Sequence, residues 1–146
     1  MTLLERDGLL AQLDARWLQA REGPGQLVFI EGEAGIGKTT LLRAFAASVR
    51  ADAPVHWGAC AAMATPPPLG GLADIAIDSG GKLAIPHEGS GERHSLFVAF
   101  VDLLAERPAL AVLEDLHWAD EATLDLLRYA GRRIARTRSL LVASFR

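Results

Sequence analysis

Apolar positions along the chain switch repeatedly between helical and strand-like spacing. Over residues 7–20, Leu9, Leu10, Leu13 and Trp17 fall on one helical face, with Asp7 as the expected N-cap. Gly23-Pro24-Gly25 interrupts that pattern, and QLVFIE at Gln26–Glu31 reads as a first strand. A helix follows from Lys38 to about Arg50, with Leu41, Leu42, Phe45 and Val49 turned inward. Val55–Ala59 is a short second strand, and Leu72–Ile77 forms a short helix. Ser90 is expected to cap a helix over Glu92–Glu106 with the stripe Leu96, Phe97, Phe100 and Leu104, which Pro108 closes. Ala109–Leu113 is a continuous apolar run of the buried-strand kind. Asp120 is the expected N-cap of a helix to about Arg136, with Leu124, Leu127 and Ile134 inward, and Leu140–Ser144 is a fourth strand. Strands alternating with helices predict an α/β domain, a parallel sheet with helices on both faces.

Between the first strand and its helix stands GEAGIGKT, Gly32–Thr39, which fits G-x-x-x-x-G-K-[ST] at every fixed position. Strand, loop and helix in that order make this a P-loop rather than a chance glycine-rich turn. Glycines free the backbone to aim successive N–H groups of Gly32, Glu33, Ala34, Gly35, Ile36 and Gly37 at phosphate oxygens. The N-terminus of the following helix, at Thr39 and Thr40, adds its partial positive charge. Lys38, expected to be exposed, supplies a mobile charge for the β- and γ-phosphates, and the Thr39 hydroxyl suits Mg²⁺. The expected ligands are ATP or ADP and Mg²⁺.

Composition narrows the remaining classes. At 146 residues the chain has one domain's worth of sequence. A net charge of −3 argues against a general polyanion-binding surface, so phosphate must be attracted locally and direct nucleic-acid binding is not expected. Cys60 is the single cysteine, which excludes an intramolecular disulfide and favours a reducing, cytoplasmic setting. The Leu96–Ala105 run carries Asp102 and is too short to span a bilayer. Thirteen arginines against two lysines point to a GC-rich bacterial genome. His56, His87 and His94 lack metal-ligand spacing, and Met63 and Cys60 read as packing residues. Arg128, Arg132, Arg133, Arg136 and Arg138 read as a solvated basic helix end. From Cys60 to Gly91 the pattern loses regularity: Pro66-Pro67-Pro68 favours a stiff extended piece, and glycines at 80–81 and 89–91 bracket an expected mobile loop.

The second chemical signal is LAVLED at Leu110–Asp115, an apolar strand ending in two acids. Opposite a phosphate cradle, one carboxylate organises Mg²⁺ or its waters and another orients water for attack on the γ-phosphate. His117 and Trp118 follow directly and read as core packing or a turn contact.

LAVLEDLHWADEATLDLL resembles the Walker B region of STAND-type ATPases, specifically the AAA-like domain of large LuxR-type bacterial transcriptional regulators. LLERD, GACAAMATPPPLGGLADIA and LLVASFR resemble further segments of that group, so the likeness runs from about Leu3 to the last residue. The resemblance implies the strand order 2-3-4-1 for the four strands present. It makes Glu114 the metal-side acid, Asp115 the water-activating one, Arg146 a γ-phosphate sensor, and Arg6 a residue of an arginine-containing turn near the adenine. Glu114 departs from the more usual Asp by one methylene, so its contact with Mg²⁺ is expected through water. The group continues with a fifth strand, a helical lid and downstream regulator domains, so the chain reads as truncated before them. With the P-loop strand at an edge, self-association is expected. The implied function is an ATP-binding, slowly hydrolysing switch; a small-molecule kinase and a non-hydrolysing nucleotide scaffold are the alternatives.

Overall fold

The computed structural model describes residues 3–33, 35–63, 68–80, 82–83 and 90–146. Its elements are α1 (Leu3–Glu22), β1 (Gln26–Glu31), α2 (Lys38–Val49), β2 (Val55–Ala59), α3 (Gly70–Asp78), α4 (Ser90–Glu106), β3 (Leu110–Glu114), α5 (Glu121–Arg133) and β4 (Leu140–Phe145). The four strands form one parallel sheet in the order β1-β4-β3-β2, the predicted 2-3-4-1 read from the other edge.

Alternation along β3 and β4 creates two apolar faces. Leu110, Val112, Leu140 and Val142 face α1 and α2, where they meet Leu13, Trp17, Leu41, Leu42 and Phe45. Ala111, Leu113, Leu141 and Ala143 face α3, α4 and α5, packing with Leu72, Ile75, Phe100, Leu104 and Leu126. Both central strands are buried along almost their whole length, which is why they read as unbroken apolar runs instead of alternating ones. Each large aliphatic side chain buried there contributes about 1.5–3 kcal/mol.

Several boundaries differ from the sequence reading for local reasons. α1 starts at Leu3, so Asp7 lies inside the helix and caps nothing. α3 is longer than predicted at both ends, entering through a left-handed Leu69 whose N–H donates to Asp120 Oδ2 at 3.1 Å. Asp120 does cap α5, accepting from the Ala122 N–H at 3.2 Å, but the inward residues of α5 are Ala122, Thr123, Leu126, Leu127 and Ala130. Leu124 is only partly buried, and the last predicted turn, Ile134–Arg136, tightens to 3₁₀. The proline run at 66–67, Ala34, and most of the loop expected between Gly80 and Gly91 lie outside the described residues, as does the side chain of Ser90.

Candidate phosphate and metal site

The sheet order dictates where chemistry gathers. β4 lies between β1 and β3, so the loop after β1, the acids after β3 and the end of β4 all emerge at one rim of the sheet. The Gly32 N–H donates to the Phe145 carbonyl at 3.1 Å, and the Cys60 N–H donates to the Glu114 carbonyl at 2.9 Å. These bonds carry the ladder one step past the strands and fix the loop mouths.

Gly35 and Gly37 adopt φ of 78° and 96°, conformations that disfavour a residue with a Cβ. No heavy atom lies within 4 Å of where such a Cβ would stand at either position, so this stretch opens to solvent. Lys38, expected exposed, is instead buried: its Nζ donates to the Gly32 carbonyl and to the Glu33 carbonyl at 3.0 Å. Its stem lies along Gly32. The ammonium is thereby held inside its own loop by two carbonyl dipoles, within the lining of the cleft where phosphate would sit.

The two acids are neighbours with opposite surroundings. Glu114 is 6% exposed, and its Oε1 accepts from the Thr39 hydroxyl at 2.7 Å, joining residues 75 positions apart. Its Oε2 accepts from the Trp57 indole N–H at 3.1 Å. Asp115 is half-buried in the left-handed region, φ 60° and ψ 46°, and its N–H donates to Ser144 Oγ at 3.3 Å. Aspartate tolerates that conformation better than most residues, yet it carries a cost on the order of 1 kcal/mol. The turn swings Asp115 away from the packed core into a cleft of about 470 Å³ that Gly35, Gly37, Lys38, Thr39 and Thr40 line from the other side.

His117, Trp118 and Arg146 complete the lining. The two aromatic rings are exposed rather than packed in the core, with centroids 5.3 Å apart, and His117 Nδ1 accepts from the Arg146 N–H at 3.3 Å. His117 thus reaches the end of β4 rather than packing in the core, and both residues belong to the cleft instead of the interior. Arg6 lies within helix α1, not in a turn, half-buried and outside the linings of this cleft and of the larger hollow beside it. That hollow, about 1000 Å³, runs between α1 and β1 over Leu9, Leu13, Val28 and Ile30 and reaches the P-loop at Ile36 and Lys38. Cys60 is buried nearby; desolvation, with smaller contributions from Asp120 and Asp115, pushes its thiol up to about 11, which keeps it an inert packing group.

Thr39 and Glu114 offer hard oxygen donors at one point, with Asp115 and the loop glycines on the same cleft, a set that fits Mg²⁺ and a phosphate chain. Sequence reasoning missed Trp57 and Ser144, the partners that hold the two acids, because neither lies in a motif.

Comparison with known proteins agrees with this fold. The chain is similar to Cdc6p from Pyrobaculum aerophilum in its crystal structure, with a TM-score of 0.67 at 18% identity, covering 99% of this chain and 40% of that one. It is 25% identical over 189 residues to an uncharacterized protein of Rhizobium meliloti (strain 1021), covering 99% of this chain and 18% of the relative. The chain therefore spans less than half the length of either. Residues 2–143 match the AAA ATPase domain family, and with nearly the whole sequence matched on a P-loop α/β fold, the chain belongs to that nucleotide-binding family.

Proposed function

We propose that this chain binds ATP with Mg²⁺, hydrolyses it slowly, and serves as the nucleotide switch module of a larger bacterial transcriptional or signalling regulator of the LuxR type. The observation that carries the nucleotide part is the Thr39–Glu114 hydrogen bond, which brings the P-loop hydroxyl and the acid at the end of β3 to one point beside Lys38. In this reading the loop N–H groups and Lys38 hold the β- and γ-phosphates, and Thr39 with Glu114 holds Mg²⁺ or its waters. The ion supplies charge neutralisation between the phosphates when bound. Asp115, exposed to the cleft where Glu114 is not, is the group positioned to orient water. Arg146 senses the γ-phosphate from the end of β4, and the apolar hollow along α1 receives the nucleoside, with Arg6 on the same helix between the lining residues Glu5 and Gly8. The switch role rests on the LEDLHWAD stretch and its likeness to those regulators.

Calorimetry with ATP, in Mg²⁺ and in excess chelator, tests the binding part. Binding that is tighter with Mg²⁺, accompanied by slow phosphate release, is the expected result. No heat with either would remove the nucleotide assignment.

A further inference from the structure

Glu114 is met not only from the P-loop but also from β2. Trp57 Nε1 donates to Glu114 Oε2 at 3.1 Å while the Thr39 hydroxyl donates to Oε1 at 2.7 Å. Each carboxylate oxygen is therefore held by a side-chain donor, one from α2 and one from the second strand. We propose that Trp57 is the positioning residue of the metal site, its indole N–H fixing the Glu114 carboxylate so that Mg²⁺ is bound at Thr39. This rests on the reading of Thr39 and Glu114 as the Mg²⁺ site.

Three observations support it. Glu114 is 6% exposed, and a carboxylate so placed must be met by donors or lose its hydration without replacement. Ala59 stands opposite Glu114 in the β2–β3 register, and Trp57 is two residues earlier on the same face of β2, so its long indole reaches along the strand to the acid. Glutamate, one methylene longer than aspartate, spans from β3 to both donors at once, and an aspartate here would draw its carboxylate back from the indole on the neighbouring strand. The indole thus explains why the longer acid is workable. A flexible glutamate would spread over several rotamers, and two donors select one. Tryptophan also offers no acceptor and no charge, so it orients the carboxylate without competing for the cation.

The test is a double-mutant cycle on the intact chain, reading ATP affinity at stepped Mg²⁺ concentrations and again in excess chelator. Trp57→Phe should raise the Mg²⁺ needed for half-maximal enhancement of ATP binding about tenfold, the scale of a lost hydrogen bond to a charged acceptor, and leave chelator-condition affinity unchanged. Trp57→His, whose flipped ring sets an Nε2–H where the indole Nε1–H stood, should recover at least part of that loss. In a Glu114→Asp background the same Trp57→Phe change should cost less than threefold, because the shorter acid no longer engages the indole. Additive effects, or unchanged Mg²⁺ dependence in Trp57→Phe, would overturn the proposal. Where Trp57→Phe fails to fold, Glu114→Asp alone answers: the Trp57 indole N–H resonance must move upfield, and a stationary resonance overturns it as well. Absence of ATP binding by the unaltered chain would instead strike the nucleotide reading on which this one stands.

Discussion

The two edges of the sheet are built in contrasting ways. At the β2 edge, α3 lies so close to the strand that a Cβ on Gly58 would stand 1.8 Å from the Gly71 carbonyl oxygen. The opposite face of that strand carries Trp57 to Glu114. At the β1 edge, Phe29 is 55% exposed and meets only the edge of the Phe145 ring among aromatic partners in the described residues. Apolar hollows flank β1 on both sides, one along α1 and one against Leu124 and Leu127 of α5. One edge strand is clamped on one face by the backbone of a helix and wired into the site on the other, whereas the second edge strand leaves a large apolar side chain exposed beside its pairing row. Secondary structure alone does not separate them, for both are short parallel strands. What separates them is whether a glycine permits a helix to close in.

Gly58→Ala attacks that contrast at its strongest point. The added methyl must displace the first turn of α3, and an overpacked contact against backbone costs about 3 kcal/mol of unfolding free energy, measured by denaturant titration. An unchanged midpoint would mean that α3 rides loosely on β2. Between the edges, Asp115→Asn should keep ATP binding and slow phosphate release about a hundredfold, since an amide cannot take a proton. An equal rate in the Asn variant would move the base role to another group. At the end of the open edge, Lys38→Ala should weaken ATP binding at least about tenfold, or about 1.4 kcal/mol by calorimetry. The loss of its two carbonyl contacts should lower apo stability by no more than about 1 kcal/mol. The smallest effect belongs to Phe29→Lys, which should alter unfolding free energy by less than about 0.5 kcal/mol while lowering the self-associated fraction in light scattering. A wild-type chain already monodisperse and monomeric would show that the open edge is harmless.

Most of the frame was legible because parallel strands and their covering helices differ so sharply in period. The β1, β2 and β4 segments and α2 could be read almost to the residue. The P-loop was legible for a different reason, since its chemistry demands fixed residue types at fixed spacing. Boundaries such as the start of α1 were hidden because charged Glu5 and Arg6 sit as comfortably in an exposed first turn as in a loop. Lys38 departs from its exposed reading because no local pattern tells whether a lysine reaches outward or folds back on carbonyls five and six residues earlier. The exposure of His117 and Trp118 depends on the left-handed turn at Asp115, which no periodicity announces. Trp57 could not be found at all without the sheet, because its link to Glu114 crosses 57 positions and depends on strand order.

That strand order also bears on how the molecule is made. β1 leaves the ribosome well before β4, yet β4 is its sheet partner, with Gln26 opposite Leu140 and Glu31 opposite Phe145. β3 needs the same strand on its other side. During vectorial synthesis the phosphate loop therefore emerges long before anything can hold its strand, and β2 with β3 can pair while β1 still waits. Closure of so long a loop is entropically costly and slow compared with local helix formation. When β4 does insert, it joins two half-sheets and presents the Phe145 carbonyl to the Gly32 N–H in one movement. β4 acts as a keystone, so nucleotide binding should arrive abruptly with its insertion, not grow by degrees along the nascent chain.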